Sequence, residues 1–387
     1  MNALQQIQEM AGAQLIDFGS AQIVSTFGHY EAEYAAIRQR VGVMHLPQRG
    51  LLRLTGKDVK DFLHRLLTQE INAMAEGSSC RSFMLNVKGR IIADMIVHHG
   101  DVDTWLDTDA VDLDELFKAL DMRLFTDDVT IENIADKWEA FALHGPSSVE
   151  LLKAIGGSGL DQPGMHHVMT LAGENATVYR WDTCGVCGYT LWCKVDHAKT
   201  LYMAMLDAAG FDLNAPDPTQ DPKGAADAAR KRRDSLRGRP IGWEAFNTAR
   251  IEAGAPLFHV DFGADCLVHE TSLLHDVVSF IKGCYVGQEI VARMENLGHP
   301  KRILTGLRLE SGELPIAGTQ VFDADDRHKV IGAVTSSTIS PLRGNAAIGF
   351  AMIKWGKHQP DTRVAVAGEG QLVEATITAL SDNTSQD

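Results

Sequence analysis

Residues 51–67, LLRLTGKDVKDFLHRLL, and residues 141–156, FALHGPSSVELLKAIG, carry the same pattern. In each stretch a strand-like apolar run ends at a glycine, Gly56 or Gly145, and a segment with helical spacing of its apolar residues follows. Each unit then continues into strand-like segments, 83–99 or 177–195, and into a further helix, 111–125 or 196–210. The repeat predicts two related α+β units built on antiparallel sheets.

The pattern changes after the second unit. From Ile303 onward, short alternating segments such as ILTGLRLE and AAIGFAMI are separated by Gly, Pro, Asp and Asn, which indicates a small β barrel or sandwich. We therefore predict an α+β protein of three parts with a polar insertion that contains the basic run at 230–233. The predicted divisions are 1–135 together with 241–302, then 136–214, the insertion or linker 215–240, and 303–387.

Composition limits the class of protein. The net charge is −15, and an acidic surface disfavours direct binding of nucleic acid. No apolar run approaches the roughly 18 residues that cross a membrane, and the start lacks the features of a signal peptide, so a cytoplasmic location is predicted. We predict no metal site. Cys184 and Cys187 form a CxxC without a second pair, so free cysteines beside a turn are expected, with metal or redox use as the alternative.

The sequence KGCYVGQE (282–289) is the most distinctive short segment. It lies in a stretch, 279–302, that is predicted to form a strand, a glycine turn and a helix. Cys284 stands beside a lysine and just before the helix, which favours a reactive thiolate; the alternative is a small buried side chain. Glu289 and Arg293 are four residues apart on the helix and would pair with each other if they bind nothing else.

Two further segments carry charged residues in apolar surroundings. Asp94 follows a predicted hairpin in NVKGRIIAD (86–94) and stands among apolar strand residues. A carboxylate there is costly to bury unless it is bound to something, and it would then suit holding a ring N–H or moving a proton; the alternative is a solvent-facing side chain. Arg250 and Glu252 are two apart on a predicted helix, so they need separate partners, a ligand among them, or they are surface charges.

These segments, in this order, resemble a known family. KGCYVGQE followed by VAR resembles the motif of the YgfZ-type folate-binding proteins, whose mitochondrial relatives help to mature [4Fe–4S] enzymes. Around it, from LIDFGS (15–20) and VGVMHLPQRGLLRLTG (41–56) to the C-terminal part, the chain resembles the wider superfamily of the glycine-cleavage T-protein. That resemblance implies a three-domain fold with a C-terminal small β-barrel, and tetrahydrofolate or a one-carbon derivative as cofactor in a central site.

The resemblance also implies site residues. NVKGRIIAD is similar to the T-protein segment NEKGGIIDD, whose second Asp is catalytic and contacts the N10 region of the folate; it falls on Asp94. His98 takes the place of a tyrosine that stacks on the folate, and ARIEAG places Arg250 and Glu252 near the site. In the motif we expect Cys284 to be a second catalytic group. The remaining expected folate contacts are Lys282, Tyr285, Gln288, Glu289 and Arg293.

Two positions depart from the T-protein pattern. Thr190 replaces a glutamate that binds the pterin, and Phe246 replaces an arginine. The first hypothesis is therefore a tetrahydrofolate-binding factor that supports maturation or repair of iron–sulfur enzymes, with iron–sulfur client or assembly proteins as partners. The alternative is a folate-dependent aminomethyltransferase or methyltransferase of the T-protein type. Whether the protein turns over a substrate stays open at this point.

Overall fold

The computed structural model describes residues 3–213, 223–224, 227, 235–368 and 370–380. The basic run at 230–233 and most of the predicted insertion lie outside the described residues. Among the described helices, none is both long enough and apolar enough to cross a membrane. The cytoplasmic location stays a prediction.

The order of the elements follows the pattern of the sequence. The described helices are α1 Ala3–Met10, α2 Tyr30–Gln39, α3 Val59–His64, α4 Leu113–Asp121, α5 Ser148–Ala154, α6 Val195–Ala209, α7 Trp243–Glu252, α8 Leu274–Val277 and α9 Gln288–Leu297. The strands are β1 Gln14–Phe18, β2 Ala21–Thr26, β3 Gly42–His45, β4 Arg49–Thr55, β5 Ser78–Leu85, β6 Ile91–His99, β7 Thr104–Asp109, β8 Thr130–Asn133, β9 Trp138–His144, β10 His166–Leu171, β11 Glu174–Arg180, β12 Gly188–Lys194, β13 Arg239–Pro240, β14 Arg302–Leu309, β15 Gln320–Asp323, β16 Val330–Ser340, β17 Ala346–Lys354, β18 Arg363–Gly368 and β19 Gln371–Thr378.

The internal repeat is present in three dimensions. β4 leads through Gly56 into α3, and β9 leads through Gly145 into α5. Both glycines have positive φ, +123° and +139°, and a Cβ atom at either one would collide with the backbone of Asp128 or Arg40. A residue with a side chain could not make this tight turn from strand to helix. The two predicted strand–glycine–helix units are confirmed.

Each unit contributes an antiparallel sheet. The first sheet has the order β5-β6-β7-β4-β8, and the second has the order β10-β11-β12-β9-β3-β13. In the second sheet the short pairing of β13 with β3 is parallel, and the other pairings are antiparallel. β3 and β13 lie outside residues 136–214, the predicted second unit, so the second sheet includes strands from other segments of the chain. The sheets meet across buried side chains that include Leu51, Ile96, Tyr179 and Trp192.

The C-terminal part is a closed six-stranded antiparallel barrel of order β14-β17-β16-β15-β18-β19. Alternate residues of its strands, among them Leu307, Val321 and Ile353, fill a separate apolar core. Helix α7 contacts β16 and also β2, so it connects the barrel to the α+β part. The predicted α+β class with a C-terminal small barrel is confirmed.

The expected strand at the start of 279–302 is wrong. Residues 279–287 form a loop without strand pairing. The backbone N–H of Ser279 donates to the carbonyl of Thr68, and the buried ammonium of Lys282 donates to three other carbonyls of the loop after α3. The segment is thus fixed to another loop and not to the edge of a sheet. The helix predicted after it forms as α9.

Candidate functional site

A central cavity lies between the two sheets and the segment that follows α7. Its volume is about 430 Å³. The first sheet contributes Asp94, Ile96 and Asp109 to the wall, and the second contributes Ala142, His144, Tyr179 and Thr190. Residues 253–258, directly after α7, line another side. The cavity therefore brings together side chains of both sheets and of the segment after α7.

Asp94 lies on the wall of this cavity. Strand β6 carries it between apolar neighbours, and its side chain is 11% exposed. The guanidinium of Arg81 donates to both carboxylate oxygens, at 2.9 Å from Nε and 2.5 Å from Nη2. Such a two-point contact fixes the orientation of the carboxylate. Burial of this charge is costly unless it is paired, and here Arg81, rather than solvent, offsets that cost.

A second arginine organises two more carboxylates. Arg49 donates to Asp107 at 2.6 Å and to Asp109 at 2.8 Å. Burial acts to raise the pKa of Asp107, but Arg49 and His98 together outweigh it and the pKa is lowered. At Asp109, burial outweighs Arg49 and the pKa is raised. Asp107 also accepts hydrogen bonds from Trp192 Nε1 and Tyr179 OH of the second sheet. This buried group therefore joins the two sheets beneath the cavity.

Two side chains on the wall have buried polar atoms without a hydrogen-bond partner among the described residues. His144 is 4% exposed, and neither of its ring nitrogens has a hydrogen-bond partner among the described residues. Burial lowers its pKa to about 4, so the ring is neutral at pH 7 and offers one donor and one acceptor. Gln48 Oε1 is also buried without a partner within the same part of the chain. Unsatisfied buried polar groups are costly, and both of these line the cavity.

Aromatic rings form another part of the wall. Trp243 lies 4.9 Å from Phe18 and 5.7 Å from Phe246, measured between ring centroids, and the ring of His144 lies 5.4 Å from Phe246. Tyr179 and Trp181 line the cavity as well. Flat apolar faces combined with a few buried polar atoms are the usual lining of a site for a small heteroaromatic molecule.

His98, predicted to stack on a folate, lies away from the cavity. Its side chain is 2% exposed, and its Nδ1 is 2.7 Å from Ser79 Oγ. Ser79 Oγ is also 2.9 Å from His166 Nδ1. The residue stands two positions beyond Ile96 on β6, and its ring centroid lies 4.5 Å from that of Tyr179 of the second sheet. Packing between the sheets occupies this side chain.

Arg250 and Glu252 are buried outside the cavity wall. Arg250 pairs with Asp261 and donates to Ser336 Oγ of β16 at 2.7 Å, and burial lowers its pKa. Glu252 accepts from Arg38 Nη2 of α2 at 2.5 Å. Arg250 and Glu252 were expected to have separate partners, and in the structure both partners are groups of the protein. Their side chains fix α7 to its neighbours, and this helix in turn positions residues 253–258 at the cavity.

The KGCYVGQE segment lies at a different place. Lys282 Nζ donates to the carbonyls of His64, Leu67 and Gln69 at 2.6, 2.6 and 2.9 Å, and burial lowers its pKa to about 8. The ammonium group is thus bound by three carbonyl oxygens and is not placed to stabilise a thiolate at Cys284. The side chain of Cys284 is exposed. The motif residues expected at the folate are absent from the central wall; these are Lys282, Cys284, Tyr285, Gln288, Glu289 and Arg293.

Glycines fit the motif against the hairpin that precedes Asp94. Gly287 has a φ of +84°, and a Cβ there would meet the carbonyl of Asn86 and the side chain of Leu85. A Cβ on Gly89 would meet the side chain of Ile290 at the start of α9. The two glycine turns that stood out in the sequence are therefore in contact with each other. The motif thus packs on the turn between β5 and β6, whereas the cavity takes Asp94 from within β6, so the two remain separate sites.

Family models match both ends of the chain. The GCVT N-terminal domain matches residues 4–217, and the glycine cleavage T-protein C-terminal barrel domain matches residues 302–381. The chain belongs to the glycine cleavage T-protein family. Members of this family use tetrahydrofolate as the one-carbon carrier.

Relatives of this T-protein family member match it along almost all of its length. An aminomethyltransferase of Chlorobium luteolum is 28% identical over 384 residues, covering 98% of this chain and 97% of the relative. An aminomethyltransferase of Chloroherpeton thalassium is 24% identical, with 97% and 96% covered. The crystal structure of the glycine cleavage system aminomethyltransferase T from Bartonella henselae has a TM-score of 0.84 at 20% identity and covers 98% of this chain and 96% of that one. That likeness shows the fold.

The residues on the cavity wall of this T-protein family member can be compared with tetrahydrofolate, which members of the family use. Both positions that depart from the T-protein pattern, Thr190 and Phe246, lie on the cavity wall. The sequence did not single out Gln48, His144 or Asp182, which also line it. The unpartnered atoms of Gln48 and His144 and the ring faces around them fit a flat ligand rich in nitrogen and oxygen. The sequence signal that could have pointed to His144 was its place at the end of an apolar strand, directly before Gly145.

One cluster has the composition of a cation site. Asp109, Asp112 and His259 offer ligand atoms that lie within 4.8 Å of one another. Asp109 already pairs with Arg49, and His259 Nε2 is 2.8 Å from Asp112. These pairs already neutralise the charges of the cluster.

Cys184 and Cys187 are free cysteines, the first buried and the second partly buried.

Proposed function

We propose that the protein binds a reduced folate in the central cavity and transfers a one-carbon unit between it and an amine, as an aminomethyltransferase or methyltransferase of the T-protein type. This was the alternative in the sequence analysis, and relatives named aminomethyltransferases that match nearly the whole chain now favour it. The observation that supports it best is a set of buried atoms without a hydrogen-bond partner among the described residues, both ring nitrogens of His144 and Oε1 of Gln48, on a wall that carries several aromatic rings.

Each kind of wall residue has a part in this proposal. The rings of Trp243, Phe246 and Tyr179 would hold a flat ring system by its faces. His144 and Gln48 would complete their hydrogen bonds with its edge atoms. Tetrahydrofolate, when bound, supplies the nitrogens that carry the one-carbon unit. The carboxylate of Asp94, held by Arg81, would accept an N–H or take a proton at the oxygen that faces the cavity.

A direct titration tests folate binding. Isothermal titration calorimetry with tetrahydrofolate should give saturable binding that folinate competes away. A turnover assay would follow release of methylene-tetrahydrofolate from an aminomethyl donor. An absence of saturable binding by the folded protein would refute the folate proposal, and binding without turnover would refute the transferase part alone.

We infer a second candidate function, support of iron–sulfur enzymes, from the KGCYVGQE segment. Cys284 is exposed, while the other five cysteines are buried or partly buried, and the segment lies outside the central wall. An accessible thiol on a fixed loop suits contact with another protein. In cells that lack this protein, Cys284→Ser should bind tetrahydrofolate normally but fail to restore the activity of a [4Fe–4S] enzyme. Full restoration by that variant would exclude this role for the thiol.

A further inference from the structure

A second cavity lies beside the KGCYVGQE segment. It has a volume of about 400 Å³ and is formed by α9 and the loop that follows α8. Tyr285 and Gln288 of the motif line it, together with Phe280, His275 and Glu295. None of the described residues on its wall also lines the central cavity. It is therefore a separate site, which the proposed one-carbon chemistry does not use.

The wall of this cavity carries a carboxylate, that of Glu295, which pairs with no lysine or arginine among the described residues. The carboxylate of Glu295 is 39% exposed, and its contact with a basic group, as far as the described residues show, is His269 Nε2 at 3.5 Å. His269 is 8% exposed and that nitrogen lacks a hydrogen-bond partner in this part of the chain. Burial lowers the pKa of His269, so its ring is neutral at pH 7. A neutral ring leaves the charge of Glu295 available to a ligand.

Apolar side chains lie on this wall and next to it in the chain. Phe280 lines the cavity and is 48% exposed, and Ile281 next to it is 96% exposed. Val291 lies on the floor and is buried. Exposed apolar residues of this size beside a cleft are typical of surfaces that contact another protein. The loop that carries them is fixed by Lys282, so they are presented in a defined arrangement.

We propose that this cavity receives an arginine or lysine side chain of a partner protein, with apolar residues of the partner against Phe280 and Ile281. A cationic head meets the carboxylate of Glu295, and its alkyl stem meets Tyr285 and Val291. The apolar rim favours a polypeptide over a free amine, because a small cation would leave Phe280 and Ile281 in water. The partner would dock directly beside the exposed thiol of Cys284.

Peptide binding tests the proposal. The probes are a fluorescent Leu-Arg-Leu-Leu peptide amide and the same peptide with citrulline, which keeps the shape of arginine without its charge. Fluorescence anisotropy should show about fivefold weaker binding for the citrulline peptide, which is the scale of an exposed ion pair. Glu295→Gln should remove that difference. Glu115→Gln, at another exposed glutamate on a helix, should keep it.

Two further measurements make the result decisive. Ile281→Ser should also weaken binding of the arginine peptide. Because Ile281 is 96% exposed, this change does not threaten folding. Equal binding of the arginine and citrulline peptides, or none at millimolar concentration, would overturn the proposal. So would Nα-acetylarginine amide binding as tightly as the peptide, because the site would then take small cations. Tetrahydrofolate titrations of the same variants test the central site independently.

Discussion

Replacing His144 by leucine should weaken folate binding without harming the empty protein. The imidazole makes no hydrogen bond with the described residues, so its loss removes no bond from the folded chain. A neutral hydrogen bond to a ligand contributes about 0.5–1.5 kcal/mol, which corresponds to a twofold to tenfold rise in the Kd for tetrahydrofolate. An unsatisfied buried polar group costs about 1–3 kcal/mol, so the variant should be at least as stable as the parent at pH 7.

The pH dependence of stability gives a second magnitude. Burial lowers the pKa of His144 to about 4 in the folded protein, below the ordinary histidine value of about 6.5. As pH falls from 6.5 to 4, the unfolded ring gains a proton and the folded ring does not, so the parent loses stability in that window. The gap between these two pKa values corresponds to roughly 3 kcal/mol of unfolding free energy. The parent should lose that stability on acidification, and the His144→Leu variant should not.

Urea unfolding at pH 7 and pH 4.5, with calorimetric titration of tetrahydrofolate at pH 7, measures both effects. The matched control is His197→Leu. That ring is equally buried, but its Nε2 bonds the carbonyl of Leu171 at 3.1 Å and it lies off the cavity wall. The control should lose about 1 kcal/mol of stability and keep its folate affinity. Unchanged affinity in folded His144→Leu, or unfolding curves that shift equally with pH in variant and parent, would refute the reasoning.

Three other predictions follow from described contacts. Asp94→Asn should weaken tetrahydrofolate binding by about 1–3 kcal/mol, the scale of a hydrogen bond to a charged group; an unchanged calorimetric Kd would count against this site. Iodoacetamide should label Cys284 before the other five cysteines, because it is exposed; mass-spectrometric mapping that finds another cysteine faster would exclude an accessible thiol. The hydrogen bond to Asp112 raises the pKa of His259, so its contribution to stability is present below pH 6.5 and is lost as pH rises through the folded value. Asp112→Asn should therefore flatten the fall in stability between pH 6 and 8, by less than about 1 kcal/mol because His259 is partly exposed.

Local patterns predicted most of the fold. The strand–glycine–helix repeat, the alternation after Ile303 and the glycine turns all depend on neighbours in sequence, and each appears where it was expected. The strand expected near residue 280 did not form because long-range hydrogen bonds from Ser279 and Lys282 to the loop after α3 decide that segment. A propensity cannot record a partner about 200 residues away.

The sequence alone determined the fold class, the family resemblance and the position of Asp94 among apolar residues. Tertiary structure decided what each polar side chain contacts. Arg250 and Glu252 found protein partners, His98 was enclosed between the sheets, and the KGCYVGQE segment formed the wall of a different cavity. His144 became a candidate site residue only because packing placed it on the cavity wall and left both of its nitrogens without a hydrogen-bond partner among the described residues. Backbone conformation follows from local sequence, whereas satisfaction of a buried polar group depends on whichever distant atoms the packing brings within 3 Å.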